Sequence, residues 1–128
     1  MNIALLEDNP AIVDYMSTAL RIAGHTVDAH VESPSLLAAL FHQSGVRCPL
    51  PYDLVIVDLL LPGDVSGVEA IQCIHQNISP RKLPIIIVSA CSPHELAQVK
   101  ARFPHVPALR KPFKMSNLLR LIEQLKPI

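Results

Sequence analysis

An α/β domain with a doubly wound, five-stranded parallel sheet is the fold class this sequence predicts. Ile3-Ala4-Leu5-Leu6, Leu54-Val55-Ile56-Val57 and Ile85-Ile86-Ile87-Val88 are short, almost continuously apolar runs, as strands buried on both faces require. Segments with apolar residues at helical spacing separate these runs. Three of those segments open with a short polar side chain followed by proline, the signature of a capped helix start.

Taken in chain order, Ile3–Leu6 forms the first strand, and Asn9-Pro10 opens the first helix. Its stripe is Ile12, Met16, Ala19, Leu20 and Ala23, at i, i+4, i+7, i+8 and i+11. Gly24 follows, where a left-handed C-cap is expected. Thr26–His30 alternates like a half-exposed second strand. Ser33-Pro34 opens a second helix whose stripe is Leu36, Leu37, Leu40 and Phe41. From Gln43 to Pro51, with Gly45, Pro49 and Pro51, the chain predicts a loop with no element of its own. The third strand follows, then a helix with Val68, Ile71, Ile74 and Ile78. After the fourth strand, Ser92-Pro93 with Glu95 at capping-box spacing opens a helix carrying Leu96, Val99 and Phe103. Val106-Pro107-Ala108-Leu109 reads as a fifth strand. Its proline is tolerated at a sheet edge and not in the middle. Leu118, Leu119, Ile122 and Leu125 make the last helix. The weak strands are the second and fifth, which are the edges in the order 2-1-3-4-5. No composition shift divides the chain, so residues 1–128 read as a single domain.

Composition narrows the function classes. Of 128 residues half are apolar and 17% charged, with 11 Lys and Arg against 11 Asp and Glu. That balance argues against a dedicated nucleic-acid surface, which needs clustered cations. No apolar run approaches the roughly 20 residues of a membrane span. Cys48, Cys73 and Cys91 lack metal-ligand spacing, and no signal peptide precedes them. Reduced thiols in a cytoplasmic protein are the expectation. The six histidines share no ligand spacing and read as surface or partly buried side chains.

Polar residues interrupt the pattern at particular places. Glu7 and Asp8 follow the first strand, Asp58 ends the third, Ser89 follows the fourth and Lys111 the fifth. All lie at carboxyl ends of strands, where open α/β sheets bind ligands. Strands one and three should be central neighbours, so their carboxylates should converge. Carboxylates packed together repel unless something positive joins them. A hard, oxygen-rich set suits Mg²⁺ or Mn²⁺. A carboxylate beside such an ion, a lysine and a hydroxyl is equipped to form an acyl phosphate. Asp58 would be the nucleophile, Lys111 and the metal would neutralise the phosphoryl oxygens, and Ser89 would hydrogen-bond one of them.

With Leu5-Leu6-Glu7-Asp8-Asn9, Asp58-Leu59-Leu60-Leu61-Pro62, Ser89-Ala90 and Lys111-Pro112-Phe113 in this order, the chain resembles the receiver domains of two-component response regulators. The resemblance spans nearly its whole length and implies the flavodoxin-like (βα)5 topology. It implies Asp58 as phosphoacceptor and a sensor histidine kinase or phosphotransfer protein as donor. It also implies Mg²⁺ held by Asp8, Asp58 and the Leu60 carbonyl, with Glu7 acting largely through water, and a cis Lys111–Pro112 bond. Homodimerisation through the fourth helix, fifth strand and fifth helix is a family expectation. So is an output domain, DNA-binding or enzymatic, beyond Ile128; a stand-alone regulator fits equally. The pattern departs at Ala108, where relatives often carry an aromatic ring that turns inward on phosphorylation. The spacing from Pro62 to Gly67 is also one residue longer than the family pattern leads one to expect.

The resemblance implies a signalling module and not an enzyme. A degenerate receiver, acting as an interaction module without phosphorylation, is the alternative that Ala108 favours. A Mg²⁺-dependent phosphohydrolase would need a second acid close after Asp58, and Asp64 lies six residues on. A flavodoxin-like electron carrier would place a flavin phosphate against Glu7 and Asp8, which repel it.

Overall fold

The computed structural model describes residues 1–59 and 67–125. Its main sheet holds β1 (Asn2–Leu6), β2 (Thr26–His30), β5 (Leu54–Asp58), β6 (Ile85–Ser89) and β7 (Ala108–Arg110). The spatial order is β2-β1-β5-β6-β7 and every pairing is parallel. Counting only these strands, that is the order 2-1-3-4-5 expected from the weak edges. Helices α1 (Pro10–Ile22), α2 (Ser33–Leu40), α3 (Gly67–Asn77), α4 (Pro93–Arg102) and α5 (Met115–Leu125) cover the two faces.

The continuous apolar runs have a direct cause. Alternate residues of β1, β5 and β6 enter two separate cores. Ile3, Leu5, Leu54, Ile56, Ile86 and Val88 pack on Met16 and Leu20 of α1 and on Leu118 and Ile122 of α5. Ala4, Leu6, Val55, Val57, Ile85 and Ile87 face Leu36 and Leu40 of α2 and Ala70, Ile71 and Ile74 of α3. Each fully buried Leu or Ile is worth about 1.5–3 kcal/mol over its exposed state. Among the helices, α4 buries no residue fully. It meets the core through half-buried Leu96 and Val99, with Phe103 just beyond its end.

Helix ends follow the local chemistry. The Asn9 side chain accepts from the Ala11 and Ile12 amides. Asn9→Ala should therefore lower stability by about 1 kcal/mol, read as a shift of the urea midpoint at constant slope. At the other end of α1 the His25 amide donates to the Leu20 carbonyl and the Gly24 amide to the Arg21 carbonyl. These are the two bonds of a Schellman motif, and Gly24 takes the φ of +97° it needs. Ser92 and Glu95 complete a reciprocal capping box.

The structure corrects three local expectations. Ser33 is the first helical residue and is buried, while Glu32 occupies the cap position without a side-chain bond. The segment expected to be plain loop contains a short antiparallel hairpin, β3 (Phe41–His42) with β4 (Gly45–Val46). Gly45 permits it with φ +129°, and Phe41 thus leaves the helix it was expected to end. The last strand begins two residues later than predicted, since Pro107 has no amide hydrogen to donate. The cis Lys111–Pro112 bond is present, together with an unforeseen cis Cys48–Pro49.

His75, near the end of α3, stands edge-on to the Phe103 ring at 5.8 Å, and its Nε2 is buried without a partner among the described residues. Burial holds its pKa below the ordinary 6.5. The unfolded chain then binds the proton more readily, so this group's contribution is present above about pH 6.5 and lost as pH falls through the folded value. His75→Leu should shrink the loss of stability between pH 7 and 5. An identical loss in both proteins would contradict this.

Candidate functional site

The ends of β1, β5 and β6, and the residue after β7, meet at one edge of the sheet. The Glu7 amide donates to the His30 carbonyl at 3.0 Å, extending the β1–β2 ladder past its last pair. This holds the Glu7 side chain inward, where only 1% of the residue is exposed. Asp8, next in the chain, is exposed. Asp58 is the last residue of the central strand β5 and is also buried. Carboxylate oxygens of Glu7, Asp8 and Asp58 lie within 4.8 Å of one another.

Lys111 reaches this cluster from the far side. Its amide donates to the Ser89 carbonyl at 2.7 Å, which anchors the turn after β7. Its Nζ donates to Glu7 Oε2 at 2.7 Å and to Asp58 Oδ2 at 3.1 Å. The Asn9 amide donates to the other Glu7 oxygen at 3.3 Å. Ser89 ends β6, fully buried, and its Oγ accepts from the Cys91 amide at 3.2 Å. Glu7, Asp8, Asp58 and Lys111 thus come together as the strand-end pattern predicts, with Ser89 on the adjacent strand end. Leu60, Pro62 and Asp64 lie outside the described residues.

The electrostatics are those of a site short of positive charge. Burial, foremost, raises the Glu7 carboxyl above its ordinary 4.5; the hydrogen bond from Lys111 works against this and the nearby Asp58 charge reinforces it. Burial also pulls on Lys111, toward the neutral amine. Its bonds to Glu7 and Asp58 and their charges outweigh that pull, and Lys111 stays above its ordinary 10.5. One ammonium facing three carboxylates leaves negative charge to be met. An all-oxygen donor set of this kind fits a hard divalent cation such as Mg²⁺.

Gly67 and the Asn9 amide escaped the sequence reading. A Cβ on Gly67 would stand 2.3 Å from the Asp58 carbonyl oxygen and 2.8 Å from Leu59 Cα. The first turn of α3 therefore presses against the backbone that presents Asp58. The glycine itself was visible, but its neighbour comes from another element.

Residues 3–123 match the response regulator receiver domain family. The chain belongs to this family. Among curated relatives, the receiver domain is similar to the signal transduction histidine-protein kinase BarA of Shigella flexneri, 30% identical over 99% of this chain and 13% of that protein. It is also similar to the DNA-binding dual master transcriptional regulator RpaA of Synechocystis, 25% identical over 96% of this chain and 48% of that one. The chain therefore spans half or less of these relatives' own length. Its fold is shared with a CheY-like receiver domain from Methanospirillum hungatei, at TM-score 0.79, 23% identity and coverage of 97% and 92%. It is shared too with TrrA of Thermotoga maritima in complex with Mg(2+)-BeF, at TM-score 0.77, 24% identity and coverage of 98% of each chain. This is a receiver domain of two-component systems, built on the doubly wound sheet.

Proposed function

We propose that this receiver domain takes a phosphoryl group onto Asp58 from a phosphohistidine of a sensor kinase or phosphotransfer protein, and that the acyl phosphate switches a partner or output. The observation that carries this reading is the Lys111 ammonium bridging Asp58 and Glu7 within the carboxylate cluster. An Asp58 carboxylate oxygen attacks phosphorus, the P–N bond breaks, and the departing imidazole nitrogen takes up a proton. Lys111 neutralises a phosphoryl oxygen, and the Ser89 hydroxyl, one strand over, donates to another. Asp8 and Asp58 would hold Mg²⁺, with Glu7 acting through water and the Leu60 carbonyl as a further ligand. The ion, when bound, supplies positive charge to the phosphoryl oxygens.

A groove of about 400 Å³ beside Lys111, lined by Ile12, Tyr15, Met16, Ala90, Pro112 and Phe113, offers the donor protein an apolar seat next to Asp58. Tyr15 stands 60% exposed there, where its ring can pack on a partner. The role is that of a cytoplasmic acceptor and switch rather than an enzyme. Lys100 and Arg120, which line a hollow with half-buried Ala108, would contribute with Arg110 to a dimer or output contact.

Incubation with a small acyl phosphate and Mg²⁺, read by intact mass, tests the reading. One phosphoryl group should add, and both Asp58→Asn and chelation should prevent it. No mass gain in the wild-type domain would instead leave a phosphorylation-independent interaction module, the reading that Ala108 favours.

A further inference from the structure

A second constellation lies away from the carboxylates. His30, at the end of β2, is 8% exposed. Its Nδ1 meets the Ser35 hydroxyl at 2.7 Å and its Nε2 the Tyr52 hydroxyl at 2.9 Å. Tyr52, itself buried, donates to the Asp28 carboxylate, which also lies 3.4 Å from His30 Nε2. With His30 neutral, one polarity satisfies every member. Asp28 can only accept, so Tyr52 donates to it; Tyr52 then accepts from His30 Nε2–H, and His30 Nδ1 accepts from Ser35. Burial, and then the bond to Asp28, raise the Tyr52 pKa, which keeps that hydroxyl a donor. Ser35 is exposed on the first turn of α2. First-turn amides have no acceptor within a helix, and Glu32 supplies no side-chain cap. The Ser35 amide, third in that turn, is therefore left without an i−4 acceptor inside the helix.

We propose that Ser35 is an acylation site, its hydroxyl activated by the His30–Tyr52–Asp28 relay and its acyl donors being activated carboxylic esters and acyl phosphates. A hydroxyl on a base that a third group orients is the arrangement of an activated nucleophile. The Ser35 Oγ attacks the acyl carbon and forms an ester. The bond from that carbon to the phosphate or alkoxide oxygen breaks, and the serine proton passes through His30 to the departing group. An acyl phosphate presents two electrophiles: phosphorus, which Asp58 would take, and the acyl carbon, which Ser35 would take. Tyr52 acts through His30 and is a positioning residue.

The chain contains its own control. Ser44 Oγ meets His42 Nδ1 at 2.8 Å, but both residues are exposed and no buried relay orients the ring. The whole domain is incubated with p-nitrophenyl acetate and, separately, with acetyl phosphate, and acetylated serines are quantified by peptide mass. Ser35 should acquire acetyl about a hundredfold faster than Ser44, and Ser35→Ala should lose that label. Tyr52→Phe, which keeps the ring, should bring the Ser35 rate at least about tenfold closer to the Ser44 rate, with the Ser44 rate itself unchanged. Asp58→Asn should label Ser35 as wild type does, so failure here is distinct from failure at Asp58. Equal rates at Ser35 and Ser44, or a Tyr52→Phe protein that keeps the wild-type ratio, would overturn the proposal.

Discussion

Lys111→Met should destabilise the metal-free domain by about 3 kcal/mol and slow phosphoryl uptake about a hundredfold or more. The ammonium is the one cation bonded to both buried carboxylates among the described residues, with Glu7 and Asp58 1% and 5% exposed at the side chain. Methionine matches the aliphatic stem, so packing is nearly kept while two buried charges lose the cation they share. Their desolvation, and not a lost contact, makes the cost large. The deficit should depend on pH in a definite direction. Glu7 titrates above 4.5 in the folded state, so its contribution to stability is fully present below that value and lost as pH rises through the folded one. The Lys111→Met deficit should therefore shrink on acidification toward pH 4.5. Mg²⁺ should recover part of it near neutrality, by supplying the missing charge. Urea unfolding in chelator and in Mg²⁺ measures both effects, and a variant as stable as wild type in chelator would show that the pairing is not what offsets carboxylate burial. Adding Glu7→Gln should restore part of the stability without restoring phosphorylation, since the two residues share one interaction.

Gly67→Ala should be nearly as damaging, for a steric reason. The added methyl would meet backbone atoms of Asp58 and Leu59 at 2.3 and 2.8 Å. Backbone cannot rotate away as a side chain can, so α3 or the end of β5 must shift. A cost of about 2–3 kcal/mol is expected. The shift moves the proposed nucleophile itself, and misplacement by about 1 Å can cost a hundredfold in rate. Phosphoryl uptake should fall further than stability explains, which is read by comparing rates at temperatures where both proteins are fully folded. Ala70, on the same helix, is also fully buried but enters the general core. Ala70→Gly should weaken folding, with an uptake rate per folded molecule close to wild type. Equal loss of that rate in both variants would mean that Gly67 has no particular hold on Asp58.

The chain's own pattern was enough for the sheet, its order and four of the site's side chains. Burial on two faces leaves a continuous apolar run, and a charged residue ending such a run must lie at a strand terminus. Glu7, Asp8 and Asp58 were legible for that reason, and Lys111 by the Lys111-Pro112-Phe113 motif after a weak edge strand. Helix starts were legible where a side chain bonds its own backbone, as at Asn9 and Ser92. Ser33 misled because it is the buried first residue of α2, with Glu32 in the cap position before it. The β3–β4 hairpin was missed because two-residue strands carry no period to detect.

What only the tertiary structure decided is which groups share space across long separations. Lys111 pairs with Glu7 over 104 residues and with Asp58 over 53. Gly67 leaves no room for a Cβ because the backbone of Asp58 and Leu59 lies against it. His30, Tyr52, Ser35 and Asp28 look unrelated in sequence, and become one polarised chain when β2, α2 and the segment before β5 close on one another. Local periodicity reports which face of an element is buried. It carries no information on which residue of another element meets that face, and the chemistry of both constellations depends on that meeting.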